Sequence, residues 1–204
     1  GDAGDDTIDG GGDGGLGDGG AGFDLLRGGA GNDEIVDASG NLIEGGTGDD
    51  FISQEGGNFL AGGGGDDYVE AFGEGAVIAF NPGEGNDTVY AAGNLTLSIG
   101  GGITVADVSL SQIDSLSTPG VMDLLVSVGA SDSIRLTREF EPDPQAWPAI
   151  ALQLFGSVHT YDLTASIDGA IADFHLTDSE TDALGGALAW QYATAGSLDA
   201  LMDE

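Results

Sequence analysis

The sequence predicts an all-β protein, a parallel β-roll (β-solenoid) followed by a C-terminal β extension that caps it and a short terminal helix. Three observations support this fold class. Residues 1–90 repeat every nine residues, residues 91–167 contain longer segments of alternating apolar and polar side chains, and residues 168–204 change to a helical period. We therefore expect a roll, a β-rich capping domain and a helical tail with these boundaries.

The nine-residue units follow the pattern Gly-Gly-x-Gly-x-Asp-x-U-x, in which U is a large apolar residue. Clear examples are "GGAGNDEIV" (28–36), "GGTGDDFIS" (45–53) and "GGGGDDYVE" (62–70). The glycine-rich half favours a turn, and the x-U-x half favours a very short strand with one side chain pointing inward. Alternating strands and turns give about eighteen residues per coil and two stacked parallel sheets. The predicted core residues are Ile8, Leu26, Ile35, Ile43, Ile52, Leu60, Val69, Ile78 and Val89.

These units resemble the RTX (repeats-in-toxin) calcium-binding β-roll. The units at 1–9, 19–27, 28–36, 45–53 and 62–70 match most closely, and "PGEGNDTVY" (82–90) is a weaker copy. The resemblance implies bound Ca²⁺ and a protein that a type I secretion machinery exports unfolded from a bacterial cell.

Calcium requires six to eight oxygen ligands, which one turn cannot supply. Two turns stacked about 4.8 Å apart can complete the shell from above and below. We therefore expect Asp33, Asp50, Asp67 and Asp87 on one edge, with ions between successive pairs, and a further ion between Asp6 and Asp24 on the opposite edge. The resemblance adds carbonyl ligands from the turns, namely Gly28, Gly29, Ala30, Gly31, Gly45, Gly46, Thr47, Gly48, Gly62, Gly63, Gly64 and Gly65.

Two units break the pattern on the opposite edge. "DASGNLIE" (37–44) and "QEGGNFLA" (54–61) share one deletion at the aspartate position, and both keep Gly-Asn before the strand. The sequence therefore predicts a lopsided roll, without ions on that edge beyond Asp24. The additional acids Asp49 and Asp66 would strengthen the local field or bind outer ions.

The charge of the chain limits its partners. It contains 3 basic and 36 acidic residues, for a net charge of −33, and no cysteine. Such a surface repels nucleic acids and anionic membranes, and we expect neither nucleic-acid binding nor membrane insertion. Because the chain begins inside a repeat, we expect it to be part of a longer protein. The resemblance implies that this protein is secreted or lies at the cell surface.

Beyond the repeats, "DLLVSV", "SIRLT" and "IALQLF" predict β-strands. The run from "FNPGEGNDTV" through "ITVADVSLS" to "DSIRLTREF" resembles the haemolysin-type calcium-binding related domain, over roughly residues 80–162. In the tail, Leu184, Leu188 and Tyr192 lie on one helical face after an N-cap at Asp178 or Ser179. This helix is either part of a secretion signal, packed on the β domain, or both at different stages.

The favoured function is a non-catalytic module that folds on binding calcium after secretion and stabilises the C-terminus of a larger exported protein. His159 and His175, the two histidines, lie in strand-like or apolar contexts and predict structural roles. Two alternatives stay open at this point. The module could be an adhesin that binds an extracellular glycan or protein ligand, or the accessory domain of an RTX enzyme whose catalytic domain lies upstream.

Overall fold

The computed structural model describes residues 7–9, 25–37, 41–116, 118–137, 148, 150–154, 160–162 and 175–177. These residues form two eight-stranded sheets, here called sheet I and sheet II. In spatial order, sheet I contains β1 (Thr7–Asp9), β3 (Glu34–Asp37), β5 (Phe51–Glu55), β7 (Tyr68–Phe72), β9 (Asn86–Ala91), β13 (Asp132–Thr137), β12 (Met122–Val128) and β11 (Val108–Asp114). Sheet II contains β16 (His175–Thr177), β15 (Thr160–Asp162), β14 (Ile150–Leu154), β10 (Leu95–Ile99), β8 (Ala76–Phe80), β6 (Phe59–Gly64), β4 (Leu42–Thr47) and β2 (Leu25–Ala30).

From β2 to β10 the chain alternates between the sheets, so that one coil consists of a strand of sheet II, a turn, a strand of sheet I and a second turn. Neighbouring strands within each sheet are parallel and in register. This confirms the predicted parallel β-roll. The alternation of apolar residues with a period of two explains the arrangement, because each short strand presents one face to the space between the sheets.

The predicted core is confirmed for every residue whose side chain is described. In sheet II, Leu26 pairs with Ile43 and Ile43 with Leu60, while in sheet I the partner of Ile35 is Ile52. The buried core residues that the sequence predicted are Leu26, Ile35, Ile43, Ile52, Leu60, Val69, Ile78 and Val89. Each coil therefore stacks an identical or similar aliphatic residue on the one before it.

The position of β1 differs from the prediction. We expected unit 1–9 in the same sheet as unit 19–27, but β1 pairs with β3 in sheet I, and Ile8 aligns with Ile35 three nonapeptide lengths further along the chain. The intervening unit "GGGDGGLGD" (10–18) has Gly17 where the repeat requires a large apolar residue. Periodicity alone could not fix the order of strands across a unit that lacks a core side chain.

The strands after the repeats extend both sheets. β13 adds to β9 and β14 adds to β10 as parallel strands, and β12, β11, β15 and β16 then continue as antiparallel strands. β10, which contains most of "NLTLSI" (94–99), belongs to the parallel stack of sheet II rather than to a separate extension. The strands predicted in "DLLVSV", "SIRLT" and "IALQLF" correspond to β12, β13 and β14. The division into domains at residue 90 stays a prediction.

The predicted tail helix, with its residues Leu184, Leu188 and Tyr192, lies outside the described residues. Between 168 and 204 the structure describes only the short strand β16. Apart from the strands, the described residues include one 3-10 turn, Val105–Asp107. In these described parts, no helix has the length and apolar character needed to cross a membrane.

Candidate metal centre

The turns that lead from sheet II to sheet I lie along one edge of the roll, here called the aspartate edge. With the glycine-rich ends of β2, β4 and β6 included, these segments span 28–33, 45–50 and 62–67, and the fourth, which includes the start of β9, spans 81–87. In the first turn, Gly29 and Gly31 have φ of 111° and 118°, which residues with a side chain adopt only under strain. The Gly-x-Gly pattern therefore exists because the backbone must turn twice through the left-handed region within a few residues.

A ladder of hydrogen bonds connects the four aspartates of this edge. The amide of Asp33 donates to Oδ1 of Asp50 at 2.8 Å, and the amide of Asp50 donates to Oδ1 of Asp67 at 2.8 Å. The amide of Asp67 donates to Oδ1 of Asp87 at 3.0 Å. The residues are separated by 17, 17 and 20 positions. The structure thus brings together the four aspartates that the sequence placed on one edge.

The second carboxylate oxygen of the middle aspartates has a different environment. Oδ2 of Asp50 and Oδ2 of Asp67 are buried and accept no hydrogen bond in the described part of the chain. A buried acceptor without a donor is unfavourable by about 1–3 kcal/mol, and by more for a charged group. These two oxygens are therefore positioned for a ligand that supplies positive charge.

Each Oδ2 lies beside a glycine whose missing side chain leaves a cradle. A Cβ atom on Gly45 would meet Oδ2 of Asp50 and, at 2.5 Å, the carbonyl oxygen of Gly62 in the next turn. At Gly28 the same position lies 2.5 Å from both Oδ2 of Asp33 and the carbonyl oxygen of Gly45. A carboxylate of one turn and a carbonyl of the next therefore converge at the face of each glycine, which is the arrangement that a hard cation requires.

The other predicted carbonyl ligands lie in the same turns. The carbonyl of Thr47 accepts a hydrogen bond from the amide of Gly31 at 2.9 Å, and the carbonyl of Gly64 accepts one from Gly48 at 2.8 Å. Each carbonyl oxygen keeps a second lone pair. Over the described ranges, no group of three or more acidic or histidine side chains converges as a metal site. A cation at this edge would therefore depend on backbone carbonyls in addition to one carboxylate from each turn.

In the absence of a bound cation, burial disfavours the charged form of these carboxylates. Burial raises the pKa of Asp50 to about 6 and that of Asp67 to about 7, with repulsion from neighbouring aspartates adding to the shift. The pKa of Asp87 rises to about 8 for the same reason, with Asp67 as the nearest repelling charge. Amide donation from the preceding turn opposes the shift in each case without overcoming it. A divalent cation would reverse this repulsion.

The aspartate ladder ends at β13. Ile134 aligns with Asp87 in the parallel pair of β13 and β9, so an apolar side chain takes the position that a fifth aspartate would have. The last turn also differs in its backbone, because Asn81 and Glu84 form a local loop in which the Asn81 amide donates to Oε2 of Glu84 at 2.7 Å. The ladder therefore provides three spaces between successive aspartates.

A second ladder runs along the exposed side of the same turns. Asp49 donates its amide to Oδ1 of Asn32, Asp66 donates to Oδ1 of Asp49, and Asn86 donates to Oδ1 of Asp66, at 2.9, 2.9 and 2.8 Å. These bonds run in the opposite direction along the chain to those of the buried aspartates. Asp49 and Asp66 thus hold successive turns in register, a role that the sequence did not indicate.

The turns that lead from sheet I back to sheet II form the opposite edge, here called the asparagine edge. The amide of Asn41 donates to Oδ1 of Asn58 at 2.8 Å, over the same 17 residues as in the aspartate ladder. Nδ2 of Asn58 donates to Oε1 of Gln54 at 2.9 Å, and Nδ2 of Asn41 donates to both carboxylate oxygens of Asp37 at 3.0 Å. Here a neutral side chain makes the ladder, and its second polar group has a partner in the protein.

The sequence missed this asparagine ladder, although the signal was present. Both deleted units keep Gly-Asn directly before the strand, and those asparagines occupy the place of the aspartates. Asp6 and Asp24, predicted to share an ion on this edge, lie outside the described residues. The strand that follows Asp6 is β1 of sheet I, whereas the strand that follows Asp24 is β2 of sheet II. Because these strands belong to different sheets, the expected pairing of the two aspartates does not follow from the strand order.

Stacked parallel coils with carboxylate and carbonyl oxygens between successive glycine turns define a β-solenoid of the cation-binding class. The hard oxygen donors and the all-protein cage favour Ca²⁺ over Mg²⁺, which retains most of its water. A family model described as "RTX calcium-binding nonapeptide repeat (4 copies)" matches residues 13–41, 37–53 and 54–73. The repeat segment is an RTX-type calcium-binding β-roll, which is a structural kind of domain. No curated protein matches the chain.

Proposed function

We propose that the aspartate edge binds three calcium ions, one between Asp33 and Asp50, one between Asp50 and Asp67, and one between Asp67 and Asp87. The glycine-rich turns would supply the remaining oxygens. In this proposal the asparagine edge holds the same coils together without metal. The calcium-binding repeats themselves follow from the family match, and the assignment of ions to these residues is our own inference.

The observation that supports the proposal best is the position of Oδ2 in Asp50 and Asp67. Both oxygens are buried, neither accepts a hydrogen bond within the described residues, and Oδ2 of Asp50 lies beside the carbonyl of the next turn. A structural hydrogen-bond ladder needs only Oδ1, as the asparagine edge demonstrates with Asn58. The charged second oxygen therefore requires another explanation, and a cation provides it.

We further propose that the roll folds only when calcium binds. Without the ion, burial of mutually repelling carboxylates and the ordering of a glycine-rich chain both oppose folding. An ion that binds the folded coil and not the unfolded chain stabilises the fold by about 2.7 kcal/mol per site at one hundred times its Kd. Three sites together would contribute about 8 kcal/mol, which is comparable to the whole stability of a small domain.

This coupling suits an exported protein. RTX repeat proteins are typically exported bacterial proteins, and we propose that this chain crosses a type I secretion machinery unfolded. Low calcium inside the cell would keep the repeats unfolded, and higher calcium outside would fold them. The folded module would then stabilise the C-terminus of its parent protein.

A matched pair of glycine variants tests the proposed sites. Gly45→Ala would place a methyl group in the cradle beside Oδ2 of Asp50 and the Gly62 carbonyl, so we expect it to remove the ion between Asp50 and Asp67. Gly57→Ala on the asparagine edge would meet no atom closer than 3.6 Å, and should retain all three ions. Calorimetric titration with calcium, paired with circular dichroism, measures both outcomes.

Two results would contradict the proposal separately. If the unmodified protein bound no calcium in the titration, the site assignment and the folding model would both be wrong. If calcium bound with the expected stoichiometry but chelation left the β spectrum intact, the sites would stand and the folding model would fail.

A further inference from the structure

Strand β11 (Val108–Asp114) forms an edge of sheet I. It pairs with β12 as the first arm of an antiparallel hairpin, and no other described strand adjoins its second side. The edge of a sheet presents backbone amides and carbonyls with which a further strand can pair, and charged side chains are a common protection against such pairing. Residues 108–113, "VSLSQI", contain no charged side chain, although the chain contains 36 acidic residues.

The hydrogen bonds at the two ends of the hairpin show which backbone groups of β11 point to the open edge. The amide of Gly129 donates to the carbonyl of Asp107 at 2.8 Å, and the amide of Ser115 donates to the carbonyl of Val121 at 3.0 Å. Because hydrogen-bonded and non-hydrogen-bonded positions alternate along an antiparallel pair, the odd-numbered residues of β11 bond to β12. The even-numbered residues direct their amides and carbonyls to the open edge.

This open edge is short, because both of its ends have partners within the chain. Nη2 of Arg135 donates to the carbonyl of Asp114 at 2.6 Å. At the other end, Val105–Asp107 forms a 3-10 turn, in which the amide of Asp107 donates to the carbonyl of Thr104 at 2.9 Å. The even-numbered positions between these ends are Val108, Leu110 and Gln112.

The middle of the three positions is an apolar residue that the protein covers incompletely. Leu110 aligns with Val126 and packs against the core between the sheets, but it is only partly buried. The serines on either side of it, Ser109 and Ser111, are exposed. In the hairpin loop that follows, Leu116 is 82% exposed. Apolar surface therefore remains accessible at this end of the roll.

We propose that β11 pairs with β11 of a second copy of this chain, in antiparallel orientation and with Leu110 on the two-fold axis. In this register the two Leu110 side chains lie opposite each other and complete the cover of the core. Ser109 lies opposite Ser111 of the second copy, and Val108 lies opposite Gln112. The three open positions of each strand then form about six backbone hydrogen bonds, and sheet I continues from one copy into the next.

The sequence around Leu110 favours a second copy over a strand of another protein. Ser-Leu-Ser reads the same in both directions, as a two-fold axis through Leu110 requires. Sliding the pair by two residues would place Leu110 opposite Gln112, and would use the Asp114 carbonyl that already accepts a hydrogen bond from Arg135. Copies with a net charge of −33 repel each other, and the uncharged stretch 108–113 allows close approach without opposing carboxylates.

Sedimentation equilibrium of the calcium-loaded chain tests the proposal. We expect a reversible monomer–dimer equilibrium that strengthens as salt is added, because salt screens the repulsion between acidic copies. Gln112→Pro removes an open-edge amide without removing a bond to β12, and it should weaken the dimer by about ten-fold. Gln112→Ala keeps this amide and should change the dissociation constant by less than about two-fold. Circular dichroism checks that both variants fold.

Disulfide formation measures the register and remains informative if Gln112→Pro fails to fold. The chain has no native cysteine. Ser109→Cys mixed with Ser111→Cys should form an intermolecular disulfide under mild oxidation, because these positions form a non-hydrogen-bonded pair with Cα atoms about 4.5 Å apart. In either variant alone the two cysteines are diagonal neighbours about 7–8 Å apart, which is too far for a disulfide.

Several outcomes would overturn the proposal. It is wrong if the chain stays monomeric at every salt concentration, or if folded Gln112→Pro dimerises as tightly as Gln112→Ala. It is also wrong if either cysteine variant alone cross-links as fast as the mixture. Association that weakens as salt is added would indicate attraction between charges elsewhere on the surface, and would equally exclude pairing through β11.

Discussion

The two edges of the roll connect successive coils by the same kind of hydrogen bond, from a backbone amide to a side-chain oxygen, but they use different side chains. On the aspartate edge, the Asp33 amide bonds to Asp50, and on the asparagine edge the Asn41 amide bonds to Asn58, both at 2.8 Å over 17 residues. The second oxygen of Asp50 is buried and accepts no hydrogen bond from the described residues, whereas the amide group of Asn58 donates to Gln54. The hydrogen bonds of the asparagine edge are made within the protein, whereas on the aspartate edge we propose that a cation completes the surroundings of the second oxygen.

The two ladders both hold successive coils in register, but only the aspartate ladder places carboxylates next to each other. The asparagine ladder provides registration between coils through neutral side chains, and the one carboxylate that it contacts, Asp37, accepts hydrogen bonds from Asn41. The aspartate ladder provides the same registration but adds repulsion among buried carboxylates. Under our proposal, a roll with two aspartate edges would need calcium for all its turns, whereas this roll would need it for half of them.

Removal of calcium should cause the largest loss of stability, because only the aspartate edge is proposed to bind it. At pH 7.5 we expect chelation to destabilise the roll by about 8 kcal/mol, the sum for three saturated sites, and to abolish most of its β signal in circular dichroism. Magnesium should fail to restore the signal at equal concentration, because it retains its water shell and strict octahedral geometry. A β spectrum that survives chelation unchanged would mean that both edges are complete without metal.

Neutralising the central aspartate should have the next largest effect. Asp50→Asn keeps the Oδ1 acceptor for the Asp33 amide but removes the charge that two proposed ions share. We expect about two of three ions to be lost and the calcium-loaded protein to lose about 5 kcal/mol of unfolding free energy. Calorimetric titration and denaturant unfolding measure the two quantities.

The adjacent residue provides the control for this variant. Asp49→Asn removes the same charge one position away, but Asp49 is exposed and its Oδ1 accepts the Asp66 amide, which an asparagine oxygen can also do. It should retain the full stoichiometry. Equal losses in both variants would indicate that total charge, rather than the buried ladder, determines binding.

The converse substitution, on the asparagine edge, should reduce stability by a smaller amount and should not create a calcium site. Asn58→Asp keeps the acceptor for the Asn41 amide but loses the donor to Gln54 and buries a carboxylate. We expect a loss of about 1–3 kcal/mol and no additional bound ion, since this edge lacks the Gly-Gly-x-Gly cradle. Asn94→Asp at an exposed turn position should change stability by less than about 0.5 kcal/mol. A fourth ion in Asn58→Asp would contradict this view of the edge.

Acidity should act on the aspartate edge alone. The pKa values of Asp50, Asp67 and Asp87 are raised in the folded protein to about 6, 7 and 8, so the fold binds more protons than the unfolded chain. The calcium-free roll should therefore gain stability as pH falls from about 8 towards 4, and lose it as pH rises. Far-UV circular dichroism of the calcium-free protein as a function of pH checks the sign, and the β signal should be larger at pH 5 than at pH 8. A larger β signal at pH 8 than at pH 5 would refute the prediction.

Much of this architecture was accessible from the sequence because the repeat combines two independent signals. The apolar residue of each unit other than 10–18 indicated the core, and the spacing of Asp33, Asp50 and Asp67 indicated which turns stack on each other. The deletion in "DASGNLIE" lies on the edge where asparagines form the ladder, and the prediction that this edge binds no calcium stays a prediction. The asparagine ladder on this edge was missed. In the sequence, an asparagine in place of an aspartate indicates the loss of a metal ligand, and it does not show that the amide oxygen still accepts the same hydrogen bond.

Other features could not be derived from periodicity. The placement of β1 beside β3 depends on a unit whose core position is Gly17, so no apolar side chain specified its strand. The second buried cluster, on sheet II, depends on residues such as Leu42 and Phe59 at positions that the repeat pattern leaves unspecified. Both features depend on which strands of different repeats pair, which a nine-residue pattern does not encode.

Under the proposed assignment of ions, the end of the aspartate ladder at Ile134 would determine how the protein responds to calcium concentration. Because Ile134 follows Asp87 in the ladder, the array has a fixed number of spaces, and its inner members Asp50 and Asp67 each adjoin two of them. An ion in one space would order a carboxylate for the next, so occupancy at neighbouring spaces would rise together. If the protein is exported as we propose, a short array of shared ligands would convert a modest concentration difference across a cell envelope into a steep, nearly all-or-none transition.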